Sequence, residues 1–168
     1  MTGIIQPRLA AQVVLQDSAF CVATWHQTVF TVFSGIATVE HVVGISALCQ
    51  SFLSNGKGPA TYMSVIERSS PAPTDVVRKE LARWSRDVAS KMSAAVIVAE
   101  GGGFKNAIVR GVGVALTVLT PHAVPFKFCG NVAEGVELLA RFIPESVGGA
   151  AELSLAIAEV RARYTSHV

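Results

Sequence analysis

The chain has 168 residues, 51% of them hydrophobic and 15% charged, with a formal net charge of +2. That length can bury a core without disulfides or a structural metal, and the composition excludes a disordered chain. A charge of +2, with no Lys/Arg run beyond Arg78-Lys79, gives no electrostatic case for nucleic acid, and the apolar run from Gly111 to Leu119 is far shorter than the ~20 residues of a membrane span.

Met1 to Leu9 lacks a basic stretch followed by an apolar one, so a secretory signal is not expected, and the chain reads as one cytoplasmic domain over residues 1–168. Ala11 to Leu15 is a short apolar strand closed by the turn residues Gln16-Asp17-Ser18. Phe20 to Trp25 and Thr28 to Phe33 are rich in Val, Phe, Thr and Trp, and only His26-Gln27 separates them, which predicts a hairpin.

After Ser34-Gly35, Thr38 is placed to cap a helix with Glu40 in its first turn, and Val39, Val42, Val43, Leu48, Phe52 and Leu53 recur at helical spacing as far as Asn55-Gly56. Ala60 to Ile66 is a further strand, closed by a loop with Pro71 and Pro73. Thr74 caps the next helix, whose seam Val77, Leu81, Trp84, Val88 and Met92 opposes a face of Arg78, Lys79, Arg83, Arg86 and Lys91.

Ala94 to Ala99 (AAVIVA) is a continuous apolar run, as a mid-sheet strand requires. Gly101-Gly102-Gly103 turns the chain into an apolar helix from Phe104 to Leu119. Phe126 to Cys129 is a short last strand, and Asn131 with Glu134 has the pattern of a capping box for a helix to about Phe142. A final helix, Ala150 to Tyr164, aligns Leu153, Ile157, Val160 and Tyr164. Strand-helix-strand units cross over right-handed, so the class is α/β: a mixed sheet, antiparallel at the N-terminal hairpin and parallel beyond it, covered by helices.

Chemical motifs are sparse. Cys21, Cys49 and Cys129 are far apart among apolar neighbours and read as buried free thiols. The four histidines lack the spacing of a metal pair, and His41 beside Glu40 reads as a solvated surface pair because adjacent helical residues diverge. No catalytic residue, cofactor or metal is assigned. The Gly101, Gly102, Gly103 and Lys105 loop fits either a tight strand-to-helix turn or an anion site at a helix start, without a Rossmann or Walker pattern. Glu67 and Glu100 both end strands and, with Arg110, are the best candidates for a polar pocket, because open α/β sheets hold ligands at strand C-termini.

Three stretches carry a family resemblance: Val65-Ile66-Glu67 leading through a proline-containing loop to a helix with Arg78, AAVIVAEGGGF at Ala94 to Phe104, and Ala107-Ile108-Val109-Arg110. With the order of elements over about residues 10 to 143, they resemble the sulfate-transporter and anti-sigma-factor-antagonist (STAS) family in its divergent, stand-alone bacterial members. The resemblance implies a non-enzymatic regulatory module that binds an unidentified protein partner in bacterial signalling. In the antagonist branch a serine within Asp-x-Ser-Gly is phosphorylated. Here Arg68-Ser69-Ser70-Pro71 lacks both the aspartate and the glycine, and Ser69, Ser70 and Thr74 are the positions that carry over. Residues 148–168 extend past the family's usual domain, and their seam packs on the chain's own core or on a second subunit as a homodimer. The alternative function is a nucleotide or phosphate sensor at the Gly101–Lys105 turn.

Overall fold

The computed structural model describes residues 10–56, 59–102 and 126–165. Six strands form one sheet in the order of the chain: β1 (Gln12–Gln16), β2 (Phe20–Trp25), β3 (Thr28–Phe33), β4 (Thr61–Ile66), β5 (Ala94–Ala99) and β6 (Phe126–Cys129). β1, β2 and β3 pair antiparallel, and β3 through β6 pair parallel, as the alternation of strands and helices predicts. AAVIVA is an interior strand between β4 and β6, one place in from the edge.

Strict alternation divides the side chains between two faces. Phe20, Val22, Val29, Phe33, Tyr62 and Ala95 meet α1 (Val39–Ser54) and α2 (Asp75–Asp87). Cys21, Ala23, Trp25, Phe30, Val32, Met63, Val65, Val96 and Val98 meet α3 (Val132–Ala140) and α4 (Gly149–Thr165). Both faces are therefore buried, and the polar residues between them pair with one another: Thr28 Oγ1 lies 2.9 Å from Thr61 Oγ1, and Thr31 Oγ1 lies 3.1 Å from the Tyr62 hydroxyl and 3.0 Å from Ser64 Oγ. Burial pushes the Tyr62 hydroxyl far above its ordinary range, so it stays a neutral member of that network.

The seam of α4 is spent inside the chain: Leu153, Ala156, Ile157, Val160 and Tyr164 are all buried, which answers the choice between own core and subunit contact in favour of the former. The hairpin turn does without glycine because His26 itself takes a left-handed conformation, φ 49°.

Two local expectations are corrected. The α2 helix stops at Asp87, short of the seam drawn to Met92. The Ser90 hydroxyl donates to the Arg86 carbonyl at 2.6 Å, and the chain tightens into a 3-10 turn over Ala89–Lys91 that folds Val88 and Met92 back into the core. His41, read as a solvated surface residue, is a partly buried cap: Thr38 Oγ1 accepts from its N–H at 3.3 Å, and the Thr38 N–H donates to its Nδ1 at 3.2 Å. With Nδ1 accepting, Nε2 carries the hydrogen, and it lies 2.7 Å from Asp17 Oδ2. The ring also stacks on Phe20, 4.4 Å between centroids. The predicted helix Phe104 to Leu119 lies outside the described residues.

Two predictions follow from this packing. A Cβ at Gly135 of α3 would come within 2.9 Å of Met63 Cε, 3.0 Å of Val98 Cγ2 and 3.1 Å of Val96 Cγ1. Gly135→Val is therefore expected to lose about 1–3 kcal/mol of stability in urea unfolding; an unchanged midpoint would contradict so close an approach of α3 to the sheet. For Asp17, partial burial disfavours the charge, but the hydrogen bonds from the Ala19 N–H and His41 outweigh it and hold the carboxyl below its ordinary 3.8. A depressed folded-state pKa stabilises above the unfolded value and loses that contribution as pH falls through the folded one. The thermal midpoint of Asp17→Asn should lie below wild type at pH 6, and the gap should close below about pH 3.8; a gap independent of pH would contradict a carboxylate held charged by those hydrogen bonds.

Candidate functional site

The ladder extends one residue past β4 and β5: the Glu67 N–H donates to the Phe33 carbonyl and the Glu100 N–H to the Ile66 carbonyl, both at 2.9 Å. Continued alternation from Val65 and Val98 puts both carboxylates on the side of the sheet covered by α3 and α4. There they share one cation, Arg161 of α4. Its Nη1 and Nη2 donate to the two oxygens of Glu100 at 2.9 and 2.8 Å, and its Nε and Nη2 to Glu67 Oε1 at 3.2 and 3.1 Å. The planar fork of arginine suits this bidentate geometry, and the hydrogen bonds to Glu100 hold the guanidinium pKa above its ordinary value.

Glu67 and Glu100 thus come together as the sequence predicts, but the cation between them is Arg161, while Arg110 lies outside the described residues. Arg161 was missed although it sits four residues past Ile157 of the recognised seam, because the sequence does not state which helix covers the face carrying both glutamates. One turn further, the Tyr164 hydroxyl lies 2.8 Å from Ser34 Oγ at the end of β3, a second tie of α4 to the strand ends.

The loop after β4 is bound back into the fold. Ser69 Oγ donates to the Ser34 carbonyl and Ser70 Oγ to the Gly35 carbonyl, each at 2.9 Å, and Thr74 Oγ1 accepts from the Val77 N–H at 3.4 Å as the cap of α2. Ser70 is buried, whereas Ser69 and Thr74 are exposed. Gly101 has φ +102°, a conformation that favours glycine, and a Cβ there would meet Arg68 Cγ at 3.3 Å; Gly102 has open space around it. Gly103 and Lys105 lie outside the described residues.

On the opposite face, Phe33, Tyr62, Ser64, Leu81, Trp84 and Phe128 help to line a mostly apolar cavity of about 90 Å³.

The cysteines are free and buried, and burial raises the thiols of Cys21 and Cys129 to about 11 and that of Cys49 to about 12, far from the thiolate a nucleophile needs. Both ring nitrogens of His41 are engaged. Among the described residues no group of three His, Cys, Asp or Glu could hold a metal, and no helix is long and apolar enough to cross a membrane.

Removing the shared cation leaves two partly buried carboxylates side by side. Arg161→Met is expected to cost about 1–3 kcal/mol, discounted from a fully buried pair for partial exposure. Adding Glu67→Gln and Glu100→Gln should recover part of that loss, as read by urea unfolding at pH 7; a single substitution without effect would contradict the ionic tie.

No family model matches the chain, and no curated protein does. Similar solved structures include an uncharacterised protein of the DUF3478 family with a SpoIIAA-like fold from Shewanella loihica, at 12% identity over 79% of this chain and 94% of that one, with a TM-score of 0.48. Apo-SiaC from Pseudomonas aeruginosa is similar at 8% identity over 73% of this chain and 100% of that one, with a TM-score of 0.47. At these identities and scores the likeness assigns no activity.

Proposed function

We propose that this chain is a cytoplasmic, non-catalytic protein-interaction module of bacterial signalling, whose partner docks at the strand ends beside the loop after β4. The observation that carries this reading is the exposure of Ile36 and Val76, 63% and 65%, in the two segments joined to that tied-down loop. Ile36 follows Gly35, to which Ser70 is bonded, and Val76 lies in the first turn of α2. Large apolar side chains presented by segments that hydrogen bonds hold in place cost little entropy to bury against a partner.

The chemistry nearby supports the same reading. Glu67 and Glu100 are engaged with Arg161, and on α2 Arg78, Arg83 and Arg86 pair with Asp75, Glu80 and Asp87. The STAS-like motifs of the sequence imply the same kind of role. A competing reading, a nucleotide or phosphate sensor at the Gly101–Lys105 turn, has in its favour the Arg68 side chain beside Gly101.

Affinity capture with wild type, Gly102→Val and the double variant Ile36→Asp/Val76→Asp separates the two. The interaction module predicts a protein retained by wild type and Gly102→Val that, once purified, binds the double variant at least about ten-fold more weakly. Equal binding by the double variant would contradict the proposed face. Thermal stabilisation of wild type by nucleotides or phosphate, abolished in Gly102→Val, would favour the sensor instead.

A further inference from the structure

The charge of this chain is not spread evenly. Across α2 and the turn after it, from Asp75 to Lys91, five basic residues stand against three acidic ones, so this stretch carries the whole formal excess of +2 and the remaining residues balance. On the helix the excess is ordered. Val76, Lys79, Arg83 and Arg86 recur at i, i+3, i+7 and i+10 and are all exposed, while Val77, Trp84 and Ser85 on the far side are buried. At a rise of about 1.5 Å per residue the row is about 15 Å long, with an apolar residue at its N-terminal end and three cations along it.

The charges of the row identify the occupant. The ion pairs of α2 take Arg78, Arg83 and Arg86 and leave Lys79 without one among the described residues. Arg83 reaches Glu80 and Arg86 reaches Asp87, each at 3.2 Å, yet the two arginine side chains stay 65% and 61% exposed. Pairs so open to solvent contribute little to stability, so either arginine exchanges its present carboxylate for a partner's at small cost. Carboxylates three and four residues apart on a partner helix match the spacing of the cations, and an apolar side chain beyond them meets Val76. Nucleic acid fits less well, because helical spacing sets Asp75, Glu80 and Asp87 along the flanks of the row, where they would face its phosphates. For a lipid surface, one valine is too small an anchor.

We infer that the row from Val76 to Arg86 docks an acidic, amphipathic segment of a partner protein, with an apolar side chain against Val76 and carboxylates on Lys79, Arg83 and Arg86. This rests on the interaction-module reading above and names the chemistry of its partner. Exposed charges of this kind select the sign of the partner and speed its approach, and their attraction weakens as salt rises.

Selection of a displayed library of random peptides on the full wild-type chain tests the inference, with circular dichroism confirming that each variant is folded. The enriched peptides should carry an excess of Asp and Glu, spaced three or four residues apart beside an apolar residue. A synthetic copy of the most enriched peptide should bind Lys79→Glu/Arg83→Glu at least about ten-fold more weakly than wild type, and its affinity for wild type should fall as salt is added. The same peptide with its carboxylates replaced by lysines should prefer the charge-reversed variant. No enrichment, peptides without an acidic excess, or equal binding to both chains would each overturn the inference. Non-acidic peptides that Ile36→Asp/Val76→Asp still weakens would leave the docking reading standing, whereas peptides indifferent to that variant too would remove both. If Lys79→Glu/Arg83→Glu instead abolishes binding to a short DNA duplex or to phosphatidylserine vesicles, with no acidic peptide selected, the row belongs to that polyanion and the inference fails.

Discussion

Burial of the strands from both sides is the constraint on which the rest of this molecule depends. A sheet covered on both faces leaves no solvent to satisfy a stray polar side chain, so the buried positions of β2 through β5 can admit only apolar residues or polar ones that bond to each other. Thr28 with Thr61, and Thr31 with Tyr62 and Ser64, are the admitted exceptions, each paired across neighbouring strands. Helices must then lie over both faces, and the charged groups are driven to the ends of the strands.

At those ends the charges are paired rather than left open. Glu67 and Glu100 leave the sheet at the same level on the same side, and Arg161 of the last helix takes both. The arrangement fixes α4 to the strand termini through polar contacts in addition to the apolar seam, and the hydroxyls of Ser69 and Ser70 fix the neighbouring loop to the end of β3. On the side covered by α3 and α4, the carboxylates at the strand ends are thereby engaged by the chain's own arginine.

Most of this architecture was legible in the residues because two periods, two for strands and 3.6 for helices, were each sustained long enough to read. AAVIVA could only be an interior strand, and the caps Thr38, Thr74 and Asn131 all hold the first turns they were expected to hold. What escaped depended on relations that periodicity does not encode. The early end of α2 reflects a hydroxyl competing for one carbonyl, and the role of His41 required an aspartate 24 residues away in sequence. Arg161 required knowing which helix covers which face.

Hydrogen–deuterium exchange resolved to individual amides tests the two-sided burial most directly. At low protein concentration the amides of Ala94 to Ala99 should exchange only through global unfolding, with a protection free energy equal to that from urea, while the outer strand Gln12 to Gln16 exchanges far sooner through local opening. Equal and rapid exchange of both strands would contradict an interior β5, and with it the layered core from which every other feature described above is built.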